Sequence, residues 1–118
     1  MTGRLGIPTV VHPGGVRTKP TERASLHENL RTSLASLDGT LWLENMPKHY
    51  HVDGEKWCSN LCTRPDELAD LLPQVDGVTL DVCHAYLSVE HGGNAAIASF
   101  FETLRGSIKH VHLSDASR

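Results

Sequence analysis

Gly77-Val78-Thr79-Leu80-Asp81-Val82, running into Cys83-His84-Ala85, decides how the rest of the chain is read. The run is short and rich in apolar and β-branched residues, as a buried strand requires. Yet it carries a carboxylate near its end and an imidazole just beyond. Alternation puts Thr79 and Asp81 on one face and Leu80 and Val82 on the other. An unpartnered carboxylate is costly to bury, and no Arg or Lys lies close by in sequence to neutralise Asp81.

Three more strand-like runs lie on either side. Ile7 to His12 is closed by Pro13-Gly14-Gly15, Thr40 to Glu44 stops at Asn45-Met46-Pro47, and Ile108 to Leu113 ends at Ser114-Asp115. Helical stretches separate them. Thr21 to Leu37 carries the stripe Leu26, Leu30, Leu34 and Leu37, with Thr21 as the expected cap, Glu22 in the first turn and Asp38-Gly39 as the stop. Thr63-Arg64-Pro65-Asp66-Glu67 opens a second helix, capped by Thr63 and buried through Leu68, Leu71 and Leu72. Asn94 to Leu104 follows a Gly92-Gly93 break and aligns Ile97, Phe100, Phe101 and Leu104 on one side. Lys48 to Cys62 is polar, with His49, His51, Asp53 and Gly54, and reads as a long loop.

Strands alternating with helices indicate right-handed βαβ units, hence an α/β fold with a parallel sheet. Four strands and three helices are half of a closed eight-stranded barrel, which takes ~250 residues. The 118 residues therefore predict one partial (β/α)8 domain spanning 1–118.

Every strand ends in a residue able to bind a metal: His12, Glu44, Asp81 with His84, and His112 with Asp115 beyond it. In a parallel barrel these ends converge on one face, where active sites are built. Trp42 and Glu44 share a face opposite Leu41 and Leu43, and His110 and His112 share one opposite Val111 and Leu113. Imidazole and carboxylate together suit a divalent ion, Zn2+ or Mn2+, with Mg2+ also admissible. Each residue has an ordinary reading as well: His12 as a turn residue, His84 as a cap, His112 as a satisfied core histidine. His110 is better read as a core histidine than as a ligand. Four such residues at four strand ends would be several independent coincidences, which favours a metal site. His27, His49, His51 and His91 are read as solvated or locally hydrogen-bonded, with His49 and His51 placed to reach a substrate from the loop.

Composition narrows the function. The net charge is −3 and the eleven Lys and Arg residues are scattered, whereas gripping phosphate backbones calls for a concentrated basic face. No apolar run approaches the ~20 residues of a membrane span, and Met1 to Gly6 lacks a signal-peptide layout. A cytoplasmic address is the expectation. Cys58, Cys62 and Cys83 are odd in number and argue against a disulfide framework. Nothing near Cys58 and Cys62 completes a zinc knuckle, so both are read as ordinary small residues.

Val-Val-His-Pro-Gly-Gly (10–15), Leu-Trp-Leu-Glu-Asn (41–45), Leu-Asp-Val-Cys-His-Ala (80–85) and Lys-His-Val-His-Leu-Ser-Asp-Ala (109–116) resemble, in order and spacing, motifs of the xylose isomerase-like and endonuclease IV-like TIM-barrel superfamily. The resemblance implies a metal-ligand set of His12, Glu44, Asp81, His84 and His112, with Glu44 also the catalytic acid/base. It implies a metal-dependent isomerase or epimerase acting on a small sugar or sugar phosphate. An endonuclease IV-like zinc phosphodiesterase, with abasic DNA as partner, is the alternative, and an inactive truncated barrel is a third reading. Against the family pattern, the chain starts at the third strand and stops after the sixth or seventh. It thus lacks an earlier strand-end histidine, a later Asp-x-His pair and the final glutamate. A half barrel leaves strand edges and an apolar interior open, which predicts association, for example as a homodimer completing the barrel.

Overall fold

A computed structural model describes residues 7–13, 23–58, 61–88 and 93–113. In chain order its elements are β1 (Thr9–Val11), α1 (Arg23–Ser36), β2 (Leu41–Glu44), β3 (His49–Val52), β4 (Glu55–Cys58), α2 (Pro65–Leu71), β5 (Gly77–Asp81), α3 (Val82–Tyr86), α4 (Asn94–Leu104) and β6 (Ile108–His112). Short 3-10 turns, Leu72–Gln74 and Arg105–Ser107, lead α2 into β5 and α4 into β6.

The four strands expected from the sequence form one sheet in the order β1-β2-β5-β6, and all three pairings are parallel. Leu41, Leu43, Val78 and Leu80 turn to the helical side and pack with Leu34, Leu68, Leu71, Phe100 and Leu104 into the core. Trp42, Glu44, Thr79 and Asp81 turn to the opposite, concave face, as alternation demands. An Asp76 carboxylate oxygen accepts the Leu41 N–H at 2.8 Å, and Asp76 N–H donates to Leu41 O at 2.8 Å, which fixes where β2 and β5 begin to pair.

One irregularity matters for the site. Val78 pairs with Ile108 but Thr79 pairs with His110, so Lys109 is an extra residue in β6. This bulge resets the alternation and turns His110 and His112 to the concave face with Thr79 and Asp81. Gly77 is needed there because a Cβ would collide with the Lys109 side chain.

Several expectations need correcting. Residues 48–62 are not one loop: β3 and β4 pair antiparallel across a two-residue turn at Asp53-Gly54. Both turn residues have positive φ, 52° and 80°, which is the requirement of a type I′ hairpin. The hairpin base is tied down by Met46 N–H to Cys62 O (2.8 Å) and Lys48 N–H to Leu87 O (3.2 Å). There are four α-helices among the described residues rather than three, because Val82 opens the short α3 instead of ending β5. Arg64, not Thr63, is the N-cap of α2, and Thr63 donates its hydroxyl to Glu67 instead. Phe101 and Leu37 are exposed, not part of the buried stripes. Thr21, Glu22, Gly14, Gly15 and Gly92 lie outside the described residues.

Candidate metal centre

The strand ends carry their polar residues to one place. Glu44 and Asp81 are the last residues of β2 and β5, His112 is the last of β6, and His12 follows β1 directly. His84 reaches the same point from α3. That helix starts where it does because Asp81 is its N-cap, with Oδ1 accepting the His84 backbone N–H at 2.8 Å.

Glu44 is the hub. Its Oε2 lies 3.1 Å from His12 Nε2 and 3.3 Å from His84 Nδ1, and its Oε1 lies 3.4 Å from His112 Nδ1. Asp81 Oδ2 is 3.4 Å from His112 Nδ1 and 3.6 Å from His84 Nδ1. Glu44, Asp81 and His84 each offer a ligand atom, and these atoms lie within 4.8 Å of one another. The structure thus brings together all five residues singled out from the sequence, His12, Glu44, Asp81, His84 and His112. The two carboxylates and the His84 ring form the tightest group.

The donor set fits a cation. The Glu44 side chain is 1% exposed, and among the described residues neither of its oxygens accepts a hydrogen bond. Its ion-pair contacts among those residues are all with imidazoles, which carry charge only when protonated. A buried anion without a fixed counter-charge costs several kcal/mol, and a divalent ion held by Glu44, Asp81 and His84 would offset that penalty. His12 and His112 stand on the open side, with side chains 55% and 57% exposed.

Asn45, fully buried, is a residue that sequence reasoning passed over. Its Oδ1 accepts the Asp81 backbone N–H at 2.7 Å, its Nδ2 donates to Asp81 O at 3.0 Å, and its own carbonyl oxygen lies 2.8 Å from His84 Nδ1. The sequence carries no local signal for it, because its partners lie 36 residues away.

Of the other described histidines, only His110 comes near the centre, its ring centroid 5.9 Å from that of His112. His110 stacks on Trp42 (5.7 Å between ring centroids) with Nδ1 3.5 Å from Thr79 Oγ1, so it has partners, but it is exposed rather than a core residue. His49 Nδ1 lies 3.4 Å from Cys58 Sγ across the hairpin, His51 is exposed opposite Lys56, and His27 lies against Arg31. His91 and Asp115 fall outside the described residues. A cavity of about 340 Å³ between the starts of α2 and α4, lined by Arg64, Pro65, Ser88 and Phe100 among others, includes none of the five ligand candidates.

Comparisons with known proteins agree with the fold. A family model described as xylose isomerase-like TIM barrel matches residues 1–118. No curated protein matches significantly. Among solved structures, a D-tagatose 3-epimerase-like protein superposes with a TM-score of 0.63 at 24% identity; the match covers 97% of this chain and 43% of that one. At that identity the likeness speaks to the fold, and the chain spans less than half the length of this relative.

Proposed function

Because the chain belongs to the xylose isomerase-like TIM-barrel family, its four parallel strands being part of such a barrel, we propose that it carries the metal half of a sugar isomerase or epimerase site. The observation that carries this reading is Glu44, a buried carboxylate at the C-terminal end of a barrel strand whose two oxygens accept no hydrogen bond among the described residues. The epimerase-like relative points to the same class of chemistry. No helix among the described residues is long and apolar enough to cross a membrane.

Glu44, Asp81, His84 and His112 would hold the divalent ion, with His12 beside it. When bound, such an ion polarises substrate hydroxyl and carbonyl oxygens and so acidifies the neighbouring C–H. Glu44 has a second task. With one oxygen engaged, the other is available to take a proton from the substrate carbon and return it. The exposed rings of His12 and His112 face the side from which a sugar arrives and would orient its hydroxyls. Zn2+ and Mn2+ both suit this mixed nitrogen and oxygen set.

The sheet ends at β1 and β6, whose outer edges have no partner strand among the described residues. Val111 and Leu113 on the helical side of β6 are 49% and 76% exposed. A second copy would contribute four further strands, and a homodimer closing the barrel is the assembly we propose for this chain on its own.

The test is solvent exchange at carbon. The chain, loaded with Mn2+ or Zn2+, is incubated with ketoses and ketose phosphates in D2O and followed by NMR. Deuterium incorporation in wild type and none in Glu44→Gln is expected. Metal-loaded protein that exchanges no sugar C–H but nicks abasic duplex DNA would replace the isomerase reading with that of a phosphodiesterase.

A further inference from the structure

We propose that Asn45 is the positioning residue of this centre, setting Asp81 through its side chain and His84 through its backbone. The regular ladder between β2 and β5 ends at the pair Glu44 and Thr79. Beyond it the two strand ends are free to splay, and Asp81 lies at the tip of β5. Asn45 prevents this by presenting its side-chain amide to the Asp81 peptide in both directions, N–H to Oδ1 at 2.7 Å and Nδ2 to O at 3.0 Å. The side chain copies one further rung of strand pairing. Because Glu44 and Asn45 are adjacent, the clamp fixes the spacing between the two carboxylates directly.

The second part concerns the imidazole. A backbone carbonyl oxygen can only accept, so the 2.8 Å contact between His84 Nδ1 and Asn45 O is a hydrogen bond when Nδ1 carries the proton. The next nearest groups to Nδ1, Glu44 Oε2 at 3.3 Å and Asp81 Oδ2 at 3.6 Å, are acceptors too and favour the same tautomer. The ring is therefore held with Nε2 as its only available lone pair. A carbonyl or carboxylate on the far nitrogen is the usual way that a ligating histidine is oriented, and losing such outer partners typically weakens metal binding ~10–100-fold.

The metal part rests on the reading of the site given above; the tautomer does not. Long-range 1H–15N spectra of the metal-free wild-type chain should show His84 protonated at Nδ1. Calorimetric titration with Zn2+ and Mn2+ should show Asn45→Ala binding ~10–100-fold more weakly than wild type. That comparison is made at temperatures where both are folded, so that lost stability alone does not move the result. Asn45→Asp, which keeps the acceptor for Asp81 N–H and loses the donor to Asp81 O, should leave the Asp81 amide resonance closer to wild type than Asn45→Ala does. An Nε2-protonated His84, or an Asn45→Ala affinity within twofold of wild type, would overturn the assignment. If wild type binds neither ion, the metal reading fails, and the tautomer with the Asp81 amide shift decides the role of Asn45 alone.

Discussion

Replacing Glu44 by Gln should change stability with opposite signs in the absence and presence of metal. The carboxylate is buried, and neither oxygen accepts a hydrogen bond among the described residues. Leaving a buried acceptor unsatisfied costs about 1–3 kcal/mol, and more when it is charged. Three imidazole nitrogens at 3.1, 3.3 and 3.4 Å are its nearest polar neighbours and offset part of that cost. Gln has the same shape and no charge. A net gain of ~2 kcal/mol in the metal-free chain is the expected size. In a chain of 118 residues this raises the melting temperature by about 8 °C, at ~4 °C per kcal/mol.

Metal reverses the order. An ion at ~100 times its dissociation constant stabilises the folded wild type by about 2.7 kcal/mol, and at ~1,000 times by about 4.1 kcal/mol. The Glu44→Gln variant forfeits most of this, so it falls below wild type once the ion is well above saturation. Urea unfolding with chelator, then with Zn2+ or Mn2+, measures both limbs. A variant less stable than wild type in chelator, with an undiminished response to metal, would show that Glu44 is satisfied in the fold and does not hold an ion.

Two smaller tests address the fold around the site. Gly54 has φ of 80°, and the position a methyl group would take there has nothing within 4 Å, so Gly54→Ala should cost ~1–2 kcal/mol in urea unfolding from backbone strain alone; a neutral result would remove the type I′ turn as the device that sets the hairpin. Val111→Lys places a charge on the uncovered outer side of β6, where Val111 is 49% exposed, and should raise the monomer fraction in native mass spectrometry while changing stability by about 0.5 kcal/mol or less. An unchanged oligomer distribution would argue that chains do not associate through β6.

How much of this was legible in the sequence depended on whether a feature is local. The four strands and the convergence of His12, Glu44, Asp81, His84 and His112 could be read because a period-two pattern with a polar residue at its end reports the face and the end of a strand together. Even the β6 bulge leaves a trace: Ile108 and Val111 share the outer face although they are three residues apart, a spacing that no regular strand allows. The hairpin carried its cue in Asp53-Gly54, and His49-Tyr50-His51-Val52 alternates, but Glu55-Lys56-Trp57-Cys58 does not, so only one of the two strands shows the period that makes the cue decisive. Helix α3 spans only Val82–Tyr86, too short to show a 3.6-residue period.

Asn45 was illegible for a deeper reason. Its role exists only when the ends of β2 and β5, 36 residues apart in sequence, are side by side. Nothing in Leu-Glu-Asn-Met-Pro distinguishes an amide that ends a strand from one that extends the ladder to its neighbour. The same juxtaposition explains why the carboxylate hub persists without a Lys or Arg partner among the described residues. Asn45 holds the Asp81 peptide, Asp81 caps α3, and α3 carries His84 back against Asn45 and Glu44. This closed loop of hydrogen bonds keeps Glu44 and Asp81 near each other although their mutual repulsion, unrelieved by Lys or Arg among the described residues, favours separation. A site built this way is arranged for positive charge before any ion arrives. That is the arrangement a metal centre needs, and one that packing of the core alone would not produce.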